Sequence, residues 1–152
     1  MSIFPTKILL ATDGSEEASL AARTAVDLAH KTDSELHVVN VGLQDYGYPI
    51  YAVPELEEVR GIPEEVTKEA RKLLDAEVEQ VEAAGGSVAK AHLGIGRPEV
   101  ELVRLAEEIG AGLIVMGSRG RGGIRRSLMG SVSDSVVRHA HCPVMVVREE
   151  KG

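Results

Sequence analysis

The sequence predicts an α/β fold, a single domain spanning 1–152 and built on a doubly wound, five-stranded parallel sheet with helices on both faces. Three observations carry this. Five short apolar runs alternate with four segments whose apolar residues recur at helical spacing. Most of the runs are apolar throughout, as strands buried on both faces of a parallel sheet are. A length of 152 residues fits one domain, and no internal repeat or linker divides it.

Lys7-Ile8-Leu9-Leu10-Ala11 is a buried strand that ends at the turn Thr12-Asp13-Gly14-Ser15. Ser15 or Asp13 caps the helix that follows, and Glu16 and Glu17 suit the positive end of its dipole. Ala18, Ala21, Ala22, Ala25, Val26 and Ala29 share one face of that helix, and their small size predicts close packing on the sheet. Leu36 to Val41 is the second strand. The pattern then breaks across 42–62, a stretch holding Tyr46, Tyr48, Tyr51, Pro49 and Pro54. So long an irregular connection is either a lid or an insertion, and it reads as an insertion.

Pro63 suits the first turn of the next helix, whose buried face is Val66, Ala70, Leu73, Leu74, Val78 and Val81 and which Gly85-Gly86 ends. Ser87 to Leu93 alternates toward its end, as an edge strand with one wet face does. Gly94, Gly96 and Pro98 lead into a helix with Leu102, Leu105, Ala106 and Ile109 inward, stopped at Gly110. Leu113 to Met116 is continuously apolar, which predicts a central strand. Leu128, Met129, Val132, Val136, Val137 and Ala140 form the last helical face, and Pro143 to Val147 is the fifth strand.

Composition narrows the function. A formal charge of −7 and a pI near 5.3 argue against a nucleic-acid binder, which needs a basic face. Aromatic residues make up 3% of the chain, too few for base-stacking platforms. No apolar run approaches the roughly 18 residues of a membrane span, and no signal-like start is present. Cys142 is the single cysteine, so no internal disulfide forms. The expectation is a cytoplasmic protein without membrane or nucleic-acid partners.

Against this acidic background Gly117 to Ser133, GSRGRGGIRRSLMGSVS, stands out. It holds Gly117, Gly120, Gly122, Gly123 and Gly130 with Arg119, Arg121, Arg125 and Arg126, and no acid occurs between Glu108 and Asp134. A strand feeding a glycine-rich, acid-free loop that opens onto a helix presents backbone amides to phosphate. It is not a Walker loop, since it contains no lysine. Nor is it a dinucleotide fingerprint, because Arg125 occupies the third glycine position. What fits is Gly117-x2-Gly120-x9-Gly130-Ser131.

That spacing, with Asp13 after the first strand and Cys142-Pro143-Val144 opening the last, resembles the ATP-binding branch of the universal stress protein family. The likeness runs from KILLATDGS at Lys7 to GSVSDSVVRHAHCPVMVV ending at Val147. The resemblance implies a Rossmann-like sheet of the adenine nucleotide alpha hydrolase type in order 3-2-1-4-5, with the first and fourth strands adjacent. It further implies that Ala11, Thr12 and Asp13 belong to the nucleotide site, with Asp13 on the ribose, and that the backbone of Val41 meets adenine. Gly117, Gly120, Gly130, Ser131 and Ser133 would surround the phosphates, with Met116, Arg119 and Val132 lining the site. Ala11 stands where nucleotide-binding members often carry proline, a change that only relaxes the strand exit.

The chemistry of each residue agrees. Glycines let a backbone approach phosphate oxygens, and Gly130-Ser131 opens a helix whose first N–H groups and dipole favour an anion. The hydroxyls of Ser131 and Ser133 add donors. A carboxylate repels phosphate, so Asp13 takes a ribose hydroxyl or a bridging Mg2+. Arg121, Arg125 and Arg126 either set the local potential or meet a partner. His139 and His141 are two apart and face differently, which disfavours a metal site, while His30, His37 and His92 look isolated.

The expected cofactor is ATP, or ADP or AMP, with Mg2+ held through the phosphates. No base or water-orienting residue stands out for hydrolysis, so a nucleotide-dependent regulatory or stress-response factor with slow hydrolysis at most is the favoured reading. A true ATPase and an adaptor whose nucleotide is only structural are the alternatives, and the adaptor would act through a protein partner that the residues do not identify. An edge strand Val144-Met145-Val146-Val147 is a pairing template unless covered, and the resemblance implies a homodimer joined there.

Overall fold

The computed structural model consists of β1 (Lys7–Thr12), α1 (Glu16–Thr32), β2 (Glu35–Asn40), α2 (Glu64–Ala83), β3 (Val88–Leu93), α3 (Pro98–Ile109), β4 (Leu113–Gly117), α4 (Ser131–His139) and β5 (Val144–Val147). The structure describes residues 3–13, 15–40, 64–94, 96–118 and 130–148, with the backbone alone for 16 and 64–67. The 42–62 connection, Pro63, Leu128 and Met129 lie outside the described residues, as does the side chain of Val66.

All strand pairings are parallel, in the order β3-β2-β1-β4-β5. Alternation along each strand divides the core in two. Ile8 and Leu10 of β1, Leu36 and Val38 of β2, and Leu113 and Val115 of β4 meet Ala21, Ala25 and Val26 of α1 and Leu74 and Val81 of α2. Leu9, Val39, Ile114 and Met116 point to the other side, against Leu102, Leu105 and Ala106 of α3 and Val136 of α4. Residues such as Ile8, Leu9 and Leu10 are wholly buried, each contributing about 1.5–3 kcal/mol of transfer free energy. The alanine face of α1 lets this helix lie close on the central strands.

Two side chains expected inside are not. Leu73 is 41% exposed and Val137 47% exposed. Among the described side chains of α2 the buried positions are Ala70, Leu74, Glu77 and Val81, spaced four, three and four apart. Leu73 is rotated about 100° from Leu74, and Val137 as far from the buried Val136, which carries both to the margin of their stripes. Ala140 is not a helical-face residue either: it is the extended C-cap of α4, still packed on the α3–α4 side of the core.

His37 and His92 are not isolated. They lie on neighbouring strands with Nδ1 of His37 3.2 Å from Nε2 of His92 and the rings stacked. Sequence distance concealed a contact that only strand register creates. His139 turns its Nδ1 back to the Ser135 carbonyl at 2.9 Å, whereas Nε2 of His141 lies 2.7 Å from Glu107 Oε1 on α3. The two rings therefore serve different neighbours.

Candidate functional site

Strand order reverses between β1 and β4: the chain adds β2 and β3 on one side of β1, then crosses to add β4 and β5 on the other. In open α/β sheets the loops at the carboxyl ends diverge at such a point and leave a crevice. Here the two loops are the β1–α1 turn and the segment between β4 and α4. The central strands therefore bring Asp13 and Gly117 to the same edge of the sheet, at its switch point.

The β1–α1 turn is built by local hydrogen bonds. Asp13 Oδ1 accepts the Ser15 N–H at 2.9 Å, and Ser15 Oγ accepts the Ala18 N–H at 3.1 Å. Ser15 is thus the helix cap, and the Asp13 carboxylate braces the turn in front of it. Thr12 donates its hydroxyl to Glu77 Oε2 of α2 at 2.8 Å. The other Glu77 oxygen accepts Asn40 Nδ2 at 2.6 Å, at the end of β2. Ala11 packs against the α3–α4 side of the core.

The opposite wall starts at Gly117, where a Cβ would stand 3.0 Å from the Cβ of Glu17 and 3.1 Å from its backbone carbonyl carbon. A bare backbone is needed here because α1 crosses close above β4, a packing reason distinct from approach to a ligand. Ser118 follows and is a hub. Its N–H donates to the Val147 carbonyl at 2.9 Å, its hydroxyl to Glu17 Oε1 at 2.7 Å, and its carbonyl accepts the Gly130 N–H at 2.7 Å. The Ser133 hydroxyl donates to the same carbonyl at 2.8 Å and is also 3.1 Å from the Gly130 carbonyl. Both ends of the loop, 118 and 130, are thereby stapled together.

These contacts redistribute the expected roles. The Gly130 N–H and the Ser133 hydroxyl close the loop at its base, so the first-turn N–H groups of 131–133 and the exposed Ser131 are the donors that α4 presents outward. Met116 is a core residue facing α3 and α4, and Val132 packs beside it. Val41, Arg119, Gly120, Arg121, Arg125 and Arg126 lie outside the described residues. Among the described residues no group of three or more His, Cys, Asp or Glu side chains is placed to hold a metal.

Four buried polar residues near this edge carry contacts that the sequence did not suggest: Glu17, Asn40, Glu77 and Ser118. Glu77 did leave a signal, for it falls on the inner stripe of α2 between Leu74 and Val81, where an unmatched acid would be costly. Asn40 likewise closes an otherwise apolar run. Glu17 passes for a residue that complements the helix dipole, and nothing local points it toward Ser118, 101 positions away.

Residues 5–148 match the model of the universal stress protein family. The chain belongs to that family. A protein of Staphylococcus haemolyticus named as a universal stress protein is 37% identical over 147 residues, which cover 95% of this chain and 85% of that protein. Among solved structures, the protein MJ0577 superposes with a TM-score of 0.75 at 25% identity, covering 99% of this chain and 100% of its own. The universal stress protein of Archaeoglobus fulgidus in complex with dAMP gives a TM-score of 0.67 at 24% identity, over 96% of this chain and 99% of that one. No described helix of this family member is long and apolar enough to cross a membrane.

Proposed function

We propose that this universal stress protein is a single domain that binds ATP in the crevice between the β1–α1 turn and the loop after β4. In this reading it is a nucleotide-dependent regulatory factor of the stress response in the cytoplasm, hydrolysing ATP slowly at most. The observation that carries the reading is the adjacency of β1 and β4 at the reversal of strand order. It supports the reading because the ends of β1 and β4, with Asp13 and Gly117, share one edge, the kind of place where such sheets bind nucleotides. The complex of a protein of this fold with dAMP is a precedent for an adenine nucleotide.

Asp13 takes a ribose hydroxyl or a phosphate-bound Mg2+, with Ala11 and Thr12 beneath it and Val41 at the adenine. The amides of Ser131, Val132 and Ser133 at the start of α4, with the Ser131 hydroxyl and the backbone at Gly117, Gly120 and Arg119, take the phosphates. Met116 and Val132 support that surface from the core side. The arrangement suits anion and hydroxyl recognition, and among the described residues no acid other than Asp13 stands out as a general base at this edge, which is why binding rather than turnover is the proposed activity.

Titration calorimetry tests this directly. ATP, ADP or AMP should bind with a Kd of about 1 μM or below for the tightest of them, and Asp13→Ala should weaken that binding by about tenfold or more, the loss of a charged hydrogen bond. No heat with any of the three at high protein concentration would sink the reading. Rapid phosphate release that disappears in Asp13→Ala would instead make the protein an ATPase.

A further inference from the structure

Glu77 sits on α2, outside both loops of the crevice, yet its carboxylate is buried against the carboxyl ends of two strands. Thr12 and Asn40 are register partners, each the last residue of its strand. One oxygen of Glu77 takes the Thr12 hydroxyl at 2.8 Å and the other takes the Asn40 amide at 2.6 Å. A single rigid carboxylate thus spans the ends of β1 and β2. In sequence Asp13 follows Thr12 and Val41 follows Asn40, so the residues proposed for ribose and adenine each come directly after a residue that Glu77 ties.

We infer that Glu77 is a positioning residue for the nucleoside half of the ligand: it sets where Asp13 and the chain after Asn40 emerge, without itself touching the nucleotide. This rests on the nucleotide reading above. The geometry makes the inference specific. Both of these Glu77 hydrogen bonds end on β1 and β2, whereas the base of the phosphate side is tied by Ser118, Glu17, Gly130 and Ser133. With Asp13 on the ribose hydroxyl, its effect belongs to the nucleoside and is blind to the number of phosphates. A carboxylate with two donors is also well suited to replacement by an amide. Glutamine can accept from Asn40 with its oxygen and donate to the Thr12 hydroxyl oxygen with its nitrogen, keeping both links without the charge.

The test compares adenosine, AMP and ATP by calorimetry on the intact protein. Glu77→Gln should bind all three within about twofold of wild type, because both hydrogen bonds survive. Glu77→Met, similar in length and helix preference, should weaken all three by the same factor of about ten, leaving the ATP-to-AMP affinity ratio unchanged. Ser118→Ala, on the phosphate side, should change that ratio. Should Glu77→Met fail to fold, Thr12→Val removes one of the two links and should weaken adenosine and ATP equally. The inference is overturned if adenosine binding is unaffected in the variants that break a link, if the losses grow with phosphate count, or if Glu77→Gln loses as much as Glu77→Met. A wild-type protein that binds none of the three ligands removes the nucleotide reading and this inference together, whereas wild-type binding with unaffected variants removes only this one.

Discussion

Gly117 shows how one residue type can serve two masters. Its place at the end of a central strand suggests close approach to phosphate, and the structure adds a demand from the opposite side, where an added Cβ would stand only 3.0–3.3 Å from atoms of Glu17 and Ala18 on α1. Gly117→Ala would press a methyl onto the Cβ and the backbone of Glu17, and backbone cannot swing away as a flexible side-chain tip can. The expected cost is about 1–3 kcal/mol of folding stability, measurable by urea denaturation with or without nucleotide. Unchanged stability would mean that α1 is free to shift. Ser15 offers a milder case. Replacing it by alanine deletes the oxygen that accepts the Ala18 N–H but keeps the backbone N–H that Asp13 receives, so a loss of about 1 kcal/mol in stability is expected. Residue types were legible in the chain; their partners were not. Glu17 and Ser118 meet only because α1 crosses above β4, a fact of packing that neither neighbourhood encodes.

The β2–β3 pair carries a pH dependence that belongs to the elements rather than to one side chain. Burial first, and then the charges of His37 and Lys90, hold the His92 imidazole below the ordinary 6.5, with Glu108 of α3 pulling the other way. Glu35 adds a carboxylate 3.4 Å from Nε2 of His37. Because the folded state binds this proton more weakly, the unfolded chain takes it up first as pH falls. Stability from this pair is therefore fully present above the unfolded value of about 6.5 and declines as pH drops through it toward the folded one. Melting temperatures of wild type and His92→Gln across that range should differ by an amount that changes with pH, wild type losing more on acidification. Parallel curves would show that His92 carries no such linkage. At this scale the reading of the sequence did best: apolar runs and helical stripes sufficed to order the nine described elements. It erred where stripe edges matter, at Leu73 and Val137, and where two histidines meet diagonally across neighbouring strands, His37 lying opposite Lys90 and His92 opposite Val39. Periodicity fixes a face to within one residue's rotation, and cross-strand neighbours depend on an alignment of strands that no local pattern contains.

At the scale of the molecule, alternation of elements implied a parallel sheet, but it left strand order open, and with it the adjacency on which the crevice depends. Family resemblance supplied that order, and the observed pairing of β1 with β4 agrees with it. The same topology leaves β5 as an outer strand, bonded to β4 along one side. Met145 there is 36% exposed, and Val144, Val146 and Val147 are only partly buried. An apolar edge strand without charge or proline inside it is a pairing template, and a second copy of the chain is the natural cover for it. We expect a homodimer through Val144–Val147 whose mass in sedimentation velocity persists on dilution to about the micromolar range. Met145→Lys puts a charge in the middle of that strand, the device by which natural edges refuse partners, and should shift the protein to monomer while leaving the helical circular dichroism signal intact. Since the Ser118 N–H donates to the Val147 carbonyl, the base of the proposed nucleotide loop hangs from this same strand. Dissociation in Met145→Lys should accordingly be accompanied by weaker ATP binding, and an unaltered ATP affinity in a proven monomer would show that loop and interface act independently.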